Sequence, residues 1–258
     1  MHTHIHLDRE GDIAQIVLSC DDNKPTTLDH IVLDELEAAL GQILETKDTL
    51  RVVILRSANP RYFCVGANVN ALQTLDPGSI VPWVEHGHRV LNLLQDLPLP
   101  TIARVEGYAL GGGLELAMAC DLILTGSDAQ LGQPEANLGL VPGWGGSSRL
   151  SQRIGAARAK EMFFTGKIID AATANSWRLV DFVGSQAALK AYQSRLLDGI
   201  RQCSAMAVAE VKALINAAES ATIEENGRME ALASSRCLSH PDTQQRVSTY
   251  LASRKKRS

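Results

Sequence analysis

The sequence predicts an α/β fold with a largely parallel sheet and a helical C-terminal portion. Two observations carry this expectation. In the first half, short apolar β-branched runs alternate with stretches of helical period, the pattern of strands joined by crossover helices. Beyond Gly155 helical patterns dominate, and only 179–183 reads as a strand. At 258 residues the chain corresponds to between one and two domains of ~150 residues and is long enough to bury its own core.

The elements follow in order. Residues 4–9 and 13–20 read as two strands joined by a Glu10-Gly11-Asp12 turn. From 29 to 46, Ile31, Leu33, Leu36, Leu40, Ile43 and Leu44 keep helical spacing, with Asp29 as N-cap. RVVILRS (51–57) is a continuous apolar run, as in a strand covered on both faces. A helix is expected at 79–96, a buried strand at 101–107, a short helix at 113–121 and a strand at 122–126. Helical patterns then occupy 156–164, 170–177, 186–202, 205–219, 222–238 and 241–253. No fixed-period repeat or low-complexity linker interrupts them.

Composition excludes several classes. With 45% hydrophobic and 21% charged residues and a net charge of −4, the chain is neither disordered nor built for nucleic acid. No apolar run approaches the ~20 residues of a membrane span. Five cysteines, an odd number without a CxxC pair, point to free thiols in a reducing compartment. The first residues show no secretory or organellar pattern and the last, RKKRS, no peroxisomal tripeptide, so a cytoplasmic location is expected.

Two segments carry chemistry. In GYALGGGLELAMACD (107–121) three glycines follow a buried strand and open a helix, where unpaired backbone N–H groups can meet an anion or developing negative charge. Glu115 lies in the first turn of that helix, where a carboxylate also serves the helix dipole. In GQPEANLGLVPGWGGSSRL (132–150), Glu135 sits in a glycine- and proline-rich loop, ordinarily a solvent-facing position. Helix, strand and turn between the two glutamates can return both to one end of a sheet, where α/β folds place ligands.

Together with RYFCVGANVNAL (61–72), these segments resemble the enoyl-CoA hydratase/isomerase (crotonase) superfamily, and the likeness runs over nearly the whole chain. The NKPTTLD turn (23–29) and TGKIIDAATANSWRLVD (165–181) fall where that family has them. The resemblance implies a crotonase-like spiral of ββα units over 1–200 and a helical trimerisation region over 201–258 that also covers the active site. It implies an acyl-CoA thioester substrate, with coenzyme A as part of the substrate and no separate cofactor or metal. The backbone N–H groups of Ala67 and Gly112 would form the oxyanion hole. Glu115 would deprotonate water for attack on C3, and Glu135 would deliver a proton to C2. Substrate contacts would come from Ala67, Asn68, Val69, Asn70, Gly112 and Trp144. The implied activity is hydration of a 2-enoyl-CoA to a 3-hydroxyacyl-CoA. An enoyl-CoA isomerase and a non-catalytic acyl-CoA-binding or assembly module are the alternatives, and a homotrimer or dimer of trimers is the implied assembly.

Asn68 departs from the pattern, since the family commonly has aspartate there, and Asn70 stands where lysine is frequent. The CoA phosphates would then meet basic groups elsewhere, among them Lys24, Arg61 and the 254–257 tail. Other readings are weaker. Gly111-x-Gly113-x-x-Leu116 lacks the third small residue of a dinucleotide fingerprint, no P-loop occurs, and GGSSR is not a nucleophile elbow. HTHIH (2–6) reads as a solvated terminal strand before it reads as a metal site. His86 and His88, two residues apart in a helix, cannot face one ligand.

Overall fold

The computed structural model describes residues 4–20 and 24–255, so the first histidine of HTHIH, Asn23 and the last three residues of the tail lie outside it. Two sheets divide the strands. The larger contains β1 (Ile5–Glu10), β2 (Ile13–Leu18), β3 (Val52–Ser57), β5 (Thr101–Val105), β7 (Leu122–Gly126) and β10 (Phe182–Gly184) in that spatial order. Only the β1–β2 hairpin is antiparallel within it. The smaller sheet runs β4 (Tyr62–Cys64), β6 (Tyr108–Leu110), β8 (Gln130–Gly132) and β9 (Ile168–Asp170).

The chain alternates between these sheets. β3 passes to β4 and then to helices α2 (Val69–Leu72) and α3 (Ile80–Gln95); β5 passes to β6 and α4 (Gly112–Met118); β7 passes to β8 and, after a loop, to α5 (Gly146–Ile154). This repeated ββα path is the expected spiral. The RVVILRS run is covered on both faces by period-two alternation. Val53 and Leu55 enter the main core with α1 (His30–Thr46), while Val52 and Ile54 meet Leu189 and Leu197 of α8 (Gln186–Gln202). Asp29 caps α1 as expected, its Oδ1 accepting from Val32 N at 3.1 Å.

The structure differs from the sequence reading mainly in the smaller sheet. Its four strands have three residues each, too few to display a period. The strand expected at 179–183 starts later, at Phe182. Arg178 has a left-handed φ of 64° that ends α7 (Ala171–Ser176) and turns the chain, so Leu179 and Val180 are buried before the strand begins. After α6 (Ala156–Thr165) and α8, three helices complete the chain: α9 (Ala205–Ala217), α10 (Ile223–Ser239) and α11 (Pro241–Lys255). Lys212 anchors α9, its Nζ 2.9 Å from both the Leu99 carbonyl and Asp121 Oδ2. Large apolar residues of these helices remain exposed, including Ile215, Leu232, Leu238 and Leu251.

Candidate active site

The site forms where β6 ends and α4 begins. Gly111 precedes α4 with φ +52°, and Gly112 is its first residue, so the Gly112 N–H has no partner within the helix. The 66–67 backbone runs beside it. Gly66, at φ +90°, approaches so closely that a Cβ there would lie 2.9 Å from the Leu110 carbonyl oxygen and 3.1 Å from Gly112 N. A Cβ on Gly112 would lie 3.6 Å from Ala67 N. The flanking backbone holds this register: Leu28 N donates to the Gly66 carbonyl and Asn68 N to the Leu28 carbonyl. Among the described residues, neither the Ala67 nor the Gly112 N–H has an acceptor.

Both glutamates lie near the start of α4. Glu115, one turn into α4, is only 1% exposed. Its Oε1 accepts from the backbone N–H groups of Trp144 at 2.8 Å and Gly146 at 2.7 Å, and Oε2 makes no hydrogen bond among the described residues. Burial pushes the carboxyl pKa up, while the two N–H donors and the Arg149 charge oppose that rise. Glu135 begins a single 3₁₀ turn (Glu135–Leu138) and is half-buried. Its Oε1 would lie 3.0 Å from a Cβ on Gly111, which places it beside the start of α4. Burial first, and then the Glu115 charge, push its carboxyl up to about 7.

Family membership rests on the full length. Residues 8–257 match the family model for enoyl-CoA hydratase/isomerase. The chain belongs to this family. It is 31% identical over 255 residues to the short-chain-enoyl-CoA hydratase of Clostridium acetobutylicum, covering 98% of this chain and 96% of that one. It is 37% identical over 180 residues to the probable mitochondrial enoyl-CoA hydratase 2 of Arabidopsis thaliana; that match spans 69% of this chain but only 60% of the relative's length. The crystal structure of enoyl-CoA hydratase from Bacillus anthracis superposes with a TM-score of 0.90 at 30% identity, covering 97% of each chain.

Within this hydratase/isomerase fold, two residues that the sequence reading did not single out support the glutamates. Arg149 of α5 donates to the Trp144 carbonyl at 2.7 Å and is itself held by Gln95 Oε1 and Asn92 Oδ1. It therefore fixes the loop whose amides hold Glu115. Gln133 is fully buried, and with its amide nitrogen turned toward Glu135 it donates to Oε1 at 2.7 Å and Oε2 at 3.0 Å. With Glu135 ionised, that orientation satisfies both groups. No motif announces either residue; a buried polar side chain is visible only once the fold is built.

The other residues expected at the site are placed unevenly. Trp144 is buried, its ring meeting Trp83 edge-on at 5.0 Å. A Cβ on Gly112 would sit 2.5 Å from its Cζ3, and one on Gly87 would sit 2.1 Å from its Nε1. The indole thus lies against the start of α4. Asn68 caps α2, accepting from Asn70 N at 3.1 Å, and its amide donates to Asp29 Oδ2 at 3.2 Å. Val69 and Asn70 are exposed. A cavity of about 550 Å³ opens at the other end of α4, between 118–122, Arg153 and Lys212; neither glutamate lines it.

Proposed function

We propose that this chain hydrates 2-enoyl-CoA thioesters. What carries the reading is the pair of carboxyl groups with raised pKa near the start of α4, together with two backbone N–H groups there that lack acceptors among the described residues. Ala67 and Gly112 would receive the thioester oxygen and stabilise the charge that develops on it, a contribution of roughly 3–4 kcal/mol per donor. Ionised Glu115 takes a proton from water through Oε2 as the water oxygen bonds to C3. Protonated Glu135 gives its proton to C2, so the double bond becomes one C–O and one C–H bond. The turnover leaves Glu115 protonated and Glu135 ionised, and proton exchange with water restores the starting forms. Glu135, with a carboxyl near 7, is suited to giving and recovering a proton at neutral pH.

The surroundings support finer statements. The Trp144 indole beside Gly112 walls the acyl site and favours short chains. Lys24 and Arg61 are both exposed and are joined through Asn59, which donates to the Lys24 carbonyl and accepts from Arg61 N; on the oxyanion-loop side, they can meet CoA phosphates. The exposed apolar residues of α9 to α11 support trimer assembly through the 201–258 region, checked by molecular mass in solution.

The test uses purified protein, enoyl-CoAs from four carbons to long-chain, and isotopically labelled water. Hydration puts the label on C3 of a 3-hydroxyacyl product, with turnover falling as the chain lengthens. Double-bond migration without label would establish the isomerase reading instead. No turnover of any acyl-CoA would leave a binding module.

A further inference from the structure

Helices α1 and α3 pack side by side, and three ligand-type atoms meet across their seam. Asp34 and Glu37 are three residues apart on α1, which sets both carboxylates on one face. Opposite them, His86 Nε2 of α3 lies 3.4 Å from Asp34 Oδ1 and 3.5 Å from Glu37 Oε2. All three atoms fall within 4.8 Å of one another. His86 is 9% exposed, and its Nε2 is shielded from solvent without a hydrogen-bond partner.

A buried imidazole nitrogen aimed between two carboxylates, within ion-pair range of both yet without a well-formed hydrogen bond to either, calls for an explanation. An imidazolium ion pair would close to the roughly 2.7–2.9 Å of a charge-assisted bond. The two Nε2 distances are those of neighbouring ligands around an ion. Bonds of ~2.0–2.1 Å in a tetrahedron put ligand atoms about 3.3–3.4 Å apart, close to both Nε2 distances. We propose that Asp34, Glu37 and His86 form a site for a divalent transition-metal ion of the zinc class. One imidazole with two carboxylates suits such ions, whereas magnesium and calcium take oxygen donors. The Asp34 side chain, 70% exposed, provides the entry path.

Arg89 competes for the same carboxylate, its Nε donating to Glu37 Oε1 at 3.0 Å and a terminal nitrogen to Oε2 at 3.2 Å. Guanidinium and metal ion are therefore alternative partners of Glu37. The site also bears on the fold around the glutamates, because the residue after His86 is Gly87, against which the Trp144 indole lies.

Cobalt(II) titration of the full chain tests the proposal. It is made in a background with His2, His4 and His6 replaced by glutamine, so that the N-terminal imidazoles contribute nothing. The expected result is one bound ion with the intense visible absorption of four-coordinate cobalt, displaced by zinc. His86→Gln should weaken binding beyond the roughly 10–100-fold typical of losing an outer partner. Arg89→Gln should tighten it. Should His86→Gln not fold by circular dichroism, Glu37→Gln, which keeps the imidazole, decides the matter. Absence of cobalt binding in the background protein, or equal binding after the decisive substitution, overturns the proposal.

Discussion

The two carboxylates are alike in chemistry and opposite in support. Glu115 is fixed from the backbone: a helix carries it, two loop amides hold one oxygen, and Arg149 braces that loop. Glu135 sits in a single 3₁₀ turn followed by exposed residues, with Leu138 63% exposed, and one side chain, Gln133, sets its angle. Backbone donors cannot rotate away, whereas a side-chain donor can. Glu115 therefore has a fixed position, and Glu135 has a pKa that its surroundings set near neutrality. Substitutions should separate position from protonation.

The largest effect is expected at the rigid member. Glu115→Gln keeps the carbonyl oxygen that the two amides need and removes the base, so the fold survives. We expect a ~10³–10⁴-fold loss in kcat on crotonyl-CoA, the upper range for acid–base groups. A variant that retains the parent rate would reduce Glu115 to a scaffold for the 144–146 loop.

Glu135→Gln should cost ~10²–10³-fold in kcat and should also change the pH response. In the parent, the proton donor is lost as pH rises through about 7, so the rate should fall there; any rate left in the variant should lack that limb. Folded stability should fall in the same direction. A carboxyl raised from 4.5 to about 7 binds more protons folded than unfolded in that window, so folded stability drops as pH rises across it. Removing the charge should make the variant about 1–2 kcal/mol more stable than the parent at pH ~8, after allowance for partial exposure. Denaturant melts at two pH values check this.

The same contrast explains what was legible in the sequence. β1, α1 and α8 were visible through an apolar period, and β3 through its unbroken apolar run. The smaller sheet was not, although β6 and β8 deliver Gly112 and Gln133 to the site. The glutamates and the glycine run could be found from motif spacing. Asn68 could be seen as a departure, but its cap and its bond to Asp29 bring together residues 39 apart in the chain. Arg149 and Gln133 were hidden for another reason: each lies close in the chain to the group it holds, but no local pattern marks either side chain as buried and turned inward.

Arg149 tests the rigid side through its brace. Arg149→Met removes the hold on the Trp144 carbonyl while keeping the length of the side chain. We expect a ~10–100-fold loss in kcat with KM little changed, as for a misplaced base. The limb near pH 7 should stay where it is, since Glu135 is untouched. A shifted limb would mean that the two supports are coupled.

The smallest effect is expected at Gln133, the adjustable support. Gln133→Met fills a similar volume without the amide and should lower kcat by about tenfold through looser aim of Glu135. Its signature is in the pH profile. Donation from the amide to both Glu135 oxygens favours the ionised carboxylate, so removing it raises the pKa. The donor then keeps its proton to higher pH, and the falling limb should move upward relative to the parent, opposite to a variant that merely opened the site to water. A purely structural role for Gln133 would lower stability and leave the limb in place, so rate profiles and melts on the same preparation distinguish the two.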